Sequence, residues 1–195
     1  MEKSNIILAS ASPRRKTILS QIGLEFITLP SNAKEDFSID LPPEAFCEHW
    51  AREKAKDIAQ KYPSAFIIGA DTIVVLDGKI LGKPKDRDNS ILMLQSLSGK
   101  THEVLTGVAF IHLDSGLDMT FNESTIVSIN TLIYSDILNY IDTYKPYDKA
   151  GSYGIQDSFS VHINKIIGCF YNVMGLPISK FHRNFILAKK EINNS

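Results

Sequence analysis

The sequence predicts an α/β fold in which short apolar strands alternate with helices. Three stretches carry that expectation. The run Ile6-Ile7-Leu8-Ala9 reads as a buried strand and passes at once into a helix start at Ser12-Pro13. A helix opening at Pro42-Pro43 repeats small or apolar residues at Ala45, Phe46, Trp50, Ala51, Ala55, Ile58 and Ala59, close to the helical period. Beyond it, Ala65-Phe66-Ile67-Ile68-Gly69-Ala70 is a buried strand, and Asp71-Thr72 separates it from a further apolar run, Ile73-Val74-Val75-Leu76.

Each element follows from local chemistry. Ser12 suits the N-cap and Pro13 the first helical position, so the first helix starts there and stops at Gly23. The free N–H groups of a helix start favour an anion, and Ser10, Ser12, Arg14 and Arg15 add hydroxyls and guanidinium groups that suit phosphate. An ordinary capped helix with two surface arginines accounts for the same residues. Glu25 to Pro30 reads as a second strand and Ser31 to Asp36 as a polar loop, whose carboxylates either bind a metal or face water. Lys54, in the second helix, carries no local mark beyond a solvated lysine.

A buried carboxylate without partners is costly. Asp71 therefore either bonds its own backbone in an Asx-type turn or faces the ligand crevice at the carboxyl end of a central strand. Asp77-Gly78 predicts a hairpin turn. Lys83, between Gly82 and Pro84, is a phosphate contact or a surface residue. Asp86 caps a third helix that ends at Ser98-Gly99, and strands are expected over His102–His112 and Met119–Asn130. A short helix from Ser135, capped by that serine, runs to Tyr144. Pro146 to Gln156 is a loop whose glycines permit close ligand approach and whose Asp148, Lys149, Tyr153 and Gln156 supply acid, base, ring and amide. Gly168 to Tyr171 reads as a strand end. A C-terminal helix runs through Phe181, Phe185, Ile186 and Ala188, and Glu191 to Ser195 as a frayed tail.

Composition narrows the class. The 195 residues are enough for one large domain or two small lobes. Apolar and charged fractions of 44% and 22% are those of a soluble globular protein. A formal net charge of −1 argues against general nucleic-acid binding. No apolar run is long enough for a membrane span, and the N-terminus lacks the shape of a secretory signal. Cys47 and Cys169 lack zinc spacing and read as two buried thiols, which fits a cytoplasmic protein.

Taken in order, S-x-S-P-R-R, R-E-K-A, G-A-D-T-I-V, G-K-P, T-H-x-V-x-T-G-V, D-K-A-G-x-Y-G-I-Q and N-V-x-G-L-P resemble the Maf family of nucleoside triphosphate pyrophosphatases. The resemblance runs from Ile6 to Leu187, and its G-A-D-T and D-K-A-G-x-Y-G-I-Q forms look like the branch acting on dTTP and UTP. It implies one domain over residues 1–195, with a mixed, elongated, twisted sheet, flanking helices and a nucleotide cleft between two lobes. It implies that Asp71 is the proton acceptor and, with Glu35, a metal ligand. Arg14, Thr72 and Gln156 would help select the base; Ser10, Arg15, Lys54 and Lys83 would line the nucleotide site. Mg²⁺ or Mn²⁺ and a homodimer are implied as well, as is an alternative role as a non-catalytic nucleotide-binding regulator of septum formation. Asn32, Ala33 and Lys34 stand where many relatives are acidic, Lys145 where they often have Glu, and Asp157, directly after Gln156, where they often have Gly.

The implied reaction is attack of water on the α-phosphorus, releasing nucleoside monophosphate and pyrophosphate. A free Asp, with a pKa of about 3.9, is a weak base at neutral pH, so a raised pKa or a bound metal has to help Asp71. The Gln156 amide both donates and accepts, which matches the adjacent carbonyl and N–H of uracil or thymine.

Overall fold

The computed structural model describes residues 5–194; Met1 to Ser4, and with them the N-terminus read above as lacking a secretory signal, and Ser195 lie outside the described residues. In chain order the elements are β1 (Ile6–Leu8), α1 (Pro13–Gln21), β2 (Ile27–Thr28), α2 (Pro43–Ala59), β3 (Phe66–Leu76), β4 (Lys79–Leu81), α3 (Arg87–Leu97), β5 (Thr101–His112), β6 (Leu117–Ile129), α4 (Tyr134–Tyr144), β7 (Ile163–Ile167), α5 (Phe170–Val173) and α6 (Ile178–Asn194). The strands form a mixed sheet in the order β2-β1-β3-β5-β6-β7, with β4 also paired to β3. β1 is parallel to both β2 and β3, whereas β3–β4 and β6–β7 are antiparallel. The α/β class read from the alternation of strands and helices is the observed one.

Local signals set many boundaries. The Ser12 side chain accepts from the Arg15 N–H at the start of α1, and the Asp86 side chain accepts from the Asn89 N–H at the start of α3. Asp77 and Gly78, at φ 49° and 75°, turn β3 back into β4 with Leu76 opposite Lys79.

Five expectations need correction. β3 is one unbroken strand, so Asp71-Thr72 makes no turn and lies at mid-strand rather than at a carboxyl end. The edge it faces changes there instead. β1 pairs with residues 66–68 and β4 with residues 74–76, and Asp71 falls between the two registers. α4 begins at Tyr134 with Ile133 at its cap position, and no side chain caps it, so Ser135 sits inside the first turn. Gly168 to Tyr171 leaves β7 and enters α5. α6 continues to Asn194, because Phe181 and Ala188 bury one side of it and hold the helix past the polar end. Of the two thiols, both free, Cys47 is buried but Cys169 is only partly so.

The chain divides into two compact units. The first comprises the chain up to Asp71, Thr106–Glu123 and the stretch from Gly175 onward. Its part of the sheet is covered on both faces, which explains why its strands read as continuous apolar runs. The pleat sorts the residues. Ile67, Ala109 and Ile111 pack with Ala51, Ala55 and Ile58 of α2. The alternate residues Phe66 and Phe110 meet Phe181 and Phe185 of α6 at ring distances of 5.2–6.2 Å. The second unit comprises Thr72–Leu105 and Ser124–Met174. Its core joins Val74 and Leu76 of β3, Leu94 and Leu97 of α3, Ile137, Tyr140 and Ile141 of α4, and Phe159.

Candidate active site

The parity that puts Ile67 on the α2 face puts Gly69 and Asp71 there too. At Gly69 the helix approaches so closely that a Cβ would lie 2.1 Å from the Ala51 carbonyl oxygen and 2.9 Å from the Ala55 Cβ. The contact requires glycine, and it brings the next sheet-facing position of α2, Lys54, to Asp71. Lys54 Nζ donates to Asp71 Oδ1 at 2.5 Å and to Glu35 Oε1 at 2.6 Å. One ammonium thus joins two carboxylates that are far apart in the chain. Asp71 is 3% exposed, and its Oδ2 is buried without a hydrogen-bond partner. Burial raises the Asp71 pKa above the ordinary carboxylate value; Lys54 opposes the shift and Glu35 adds to it.

The loop bearing Glu35 is anchored by a residue that the sequence reading passed over. Asp57 of α2 accepts from the Asn32 N–H at 2.8 Å and from Ser31 Oγ at 3.0 Å. Asp57 lies three residues after Lys54 on the same helix, a spacing that marks a shared side and is the only hint in the sequence.

Ser10 and Arg15 belong to the same unit. Arg15 Nη1 donates to Ser10 Oγ at 3.1 Å, and Arg15 Nε to the Gly175 carbonyl at 2.8 Å. The Ser12 N–H also donates to Ser10 Oγ, at 3.2 Å. Burial lowers the Arg15 pKa from its ordinary value, and the nearby Asp71 charge works against that shift. Arg14, one position earlier on α1, is partly buried. Ser10, Arg15, Glu35, Lys54 and Asp71 are therefore brought together in the first unit.

Thr72, Lys83 and Gln156 lie in the second unit. Thr72 follows Asp71 on β3, so the pleat turns it to the opposite face. The segments that carry these three residues pack on one another. The Gly151 N–H donates to the Gly82 carbonyl at 3.0 Å, and a Cβ on Gly151 would lie 2.9 Å from Val74 Cγ2. Lys83 and Gln156 are exposed. Lys34 and Lys145 are exposed as well, with Lys145 left-handed at the end of α4.

His102 of the T-H-x-V motif and Tyr153 of the Pro146–Gln156 loop form a buried pair in this unit. His102 Nε2 and the Tyr153 hydroxyl are 2.7 Å apart. Burial pushes the His102 pKa down to about 4 and the Tyr153 pKa up, so the pair is neutral at pH 7. The sign of the pH dependence follows. With a folded pKa below the unfolded value of about 6.5, His102 takes up its proton more readily in the unfolded chain. Stability is complete above about pH 6.5 and falls as the pH drops toward 4, by at most about 3 kcal/mol from this residue. Urea unfolding between pH 7.5 and 4.5 should show the decline, and His102→Gln should flatten it; equal slopes for the two proteins would refute the assignment.

Among the described residues, no group of three His, Cys, Asp or Glu side chains is placed to hold a metal ion. Glu35 and Asp71 offer two carboxylates, and Asp71 Oδ2 is an unpartnered acceptor. That set suits a hard divalent cation that takes its other ligands from water and phosphate rather than a closed protein cage. No described helix is long and apolar enough to cross a membrane.

Comparison with known proteins agrees with the motif order. The chain is 47% identical over 177 residues to a dTTP/UTP pyrophosphatase from Bacillus pumilus, covering 91% of this chain and 93% of that protein. It is 42% identical over 186 residues to a dTTP/UTP pyrophosphatase from Syntrophomonas wolfei, covering 95% and 97%. Among solved structures, a HAM1 protein from Coxiella burnetii is similar at 15% identity and TM-score 0.47, over 64% of this chain and 72% of that one, a likeness too distant to inform function. The model of the Maf-like protein family matches residues 5–186, and the chain belongs to that family.

Proposed function

We propose that this protein hydrolyses dTTP and UTP to the nucleoside monophosphate and pyrophosphate. The observation that carries the reading is the Asp71 carboxylate, which is buried, held by Lys54 through one oxygen and unpartnered at the other. A general base needs such a group, an acceptor oxygen held in place and left open to a proton. Relatives that share most of the chain's length bear the name of this activity.

Water attacks the α-phosphorus, Asp71 Oδ2 takes its proton, and pyrophosphate leaves. The raised Asp71 pKa makes it a stronger base than a free aspartate. Ser10, the N–H groups at the start of α1, Arg14, Arg15, Lys54 and Lys83 hold phosphate oxygens and neutralise their charge. Glu35 and Asp71 would hold Mg²⁺ or Mn²⁺, which when bound supplies further charge neutralisation at the phosphates. Thr72, Gln156 and Arg14 select the base, with the Gln156 amide pairing to the carbonyl and N–H of uracil or thymine. A homodimer and a cytoplasmic location belong to the same reading.

Two measurements test it. Hydrolysis in ¹⁸O-water should place the label in the nucleoside monophosphate. Label in pyrophosphate, or orthophosphate as first product, would reject attack at the α-phosphorus. Across the common triphosphates and 7-methyl-GTP, kcat/KM should be highest for dTTP and UTP. A purine winner would reject the base assignment.

A further inference from the structure

The segment Gly154–Gln156 is closed by a hydrogen-bonded ring that uses two residues outside the proposed site. The Gly154 N–H donates to the Tyr140 hydroxyl at 3.1 Å, and that hydroxyl donates to Asp157 Oδ2 at 3.1 Å. The other Asp157 oxygen, Oδ1, accepts from the Phe159 N–H at 3.0 Å and caps the short 3₁₀ turn Ser158–His162. Lys149 Nζ lies 3.9 Å from Oδ2. The Asp157 carboxylate sits so close over Gly154 that a Cβ there would be 2.4 Å from Oδ2.

Gln156 is thus held from both sides. Two residues before it, the backbone is bound to Tyr140; one residue after it, the side chain is bound to the same hydroxyl. The Tyr140 ring is itself fixed, stacked on Tyr144 at 5.4 Å and packed on Phe159 at 5.0 Å. Burial and the Asp157 charge push the Tyr140 phenol pKa up, so its proton stays available to the carboxylate. Ile155, between the two anchors, is buried, while Gln156 is exposed.

We infer that Tyr140 and Asp157 are positioning residues for base selection: together they hold the backbone of Gly154–Gln156 in one geometry, which fixes the place from which the Gln156 side chain reaches the pyrimidine edge. The inference rests on the proposed role of Gln156. The Gln156 amide pairs with the adjacent carbonyl and N–H of uracil or thymine only from the right distance and angle. A backbone pinned on both sides keeps the amide's origin at that place, and a shifted origin weakens the pairing with the correct base and with it the margin over cytosine. Asp157 stands where relatives often have Gly, by the family resemblance.

The experiment uses the full-length protein with dTTP, UTP and CTP. Tyr140→Phe keeps the packed ring and removes only the hydroxyl. It should raise KM for dTTP about five- to tenfold, leave kcat within about twofold and lower the dTTP-to-CTP preference by about the same five- to tenfold. Asp157→Asn, which keeps an oxygen for the Phe159 N–H, should shift both quantities in the same direction by about two- to threefold. Variants that melt cooperatively yet keep the wild-type KM and preference would overturn the inference, as would a loss confined to kcat. If Tyr140→Phe does not fold, Asp157→Asn decides by the same criteria. A wild-type enzyme with no preference for dTTP and UTP over CTP would instead remove the role of Gln156, and the inference with it.

Discussion

Asp71→Asn should lower turnover at least about a hundredfold, the lower range for loss of a general base and about 2.7 kcal/mol of barrier. The substitution keeps the size and planarity of the side chain, so the close packing of α2 at Gly69 is undisturbed. Lys54 keeps its bond to Glu35. What disappears is the proton-accepting oxygen at Oδ2, together with one buried negative charge that is costly to the fold. Nucleotide affinity should therefore survive, and so should thermal stability. Pyrophosphate release under saturating dTTP, with calorimetric titration of the nucleotide alongside, separates the two quantities. Near-wild-type turnover in a variant that binds normally would show that Asp71 takes no proton in the reaction.

Lys54→Met should destabilise the protein by about 3–5 kcal/mol, the usual consequence of removing one partner from a buried ionic group. Methionine replaces the aliphatic stem, so the loss reports the ammonium rather than packing. The Lys54 and Asp71 side chains are only 14% and 4% exposed, and without the ammonium the buried Asp71 carboxylate loses its hydrogen-bonded cation. Arg87 and Asp142 make an ion pair at 2.7 Å whose side chains are 44% and 54% exposed, and Arg87→Met should change stability by no more than about 1 kcal/mol. Adding Asp71→Asn to Lys54→Met should recover part of the loss, because the buried Asp71 charge goes. Urea unfolding of the four proteins measures these differences. If Lys54→Met stays within about 1 kcal/mol of wild type, the three-residue cluster is not a structural unit.

The alternation of elements, the helix starts at Ser12 and Asp86 and the turn at Asp77-Gly78 were legible in the sequence by itself. The motif order also pointed to Glu35, Lys54 and Asp71 one by one. These signals are local: a cap or a tight turn finds its hydrogen-bond partners within about four residues, so composition and spacing suffice. The Ser135 cap failed because a helix packed through Ile137, Tyr140 and Ile141 takes its start from burial rather than from its best capping residue. Asp71-Thr72 looked like an interruption because charge inside an apolar run is ordinarily a break. Whether β3 could continue depended on a cation delivered by α2. Only the tertiary structure decided that, through the pleat that turns Asp71 toward α2 and the missing side chain at Gly69 that lets the helix come close enough. The same holds for Asp157, whose effect depends on a hydroxyl 17 residues earlier in the chain. Pairings over such separations are set by sheet register and helix approach, which no window of neighbouring residues encodes.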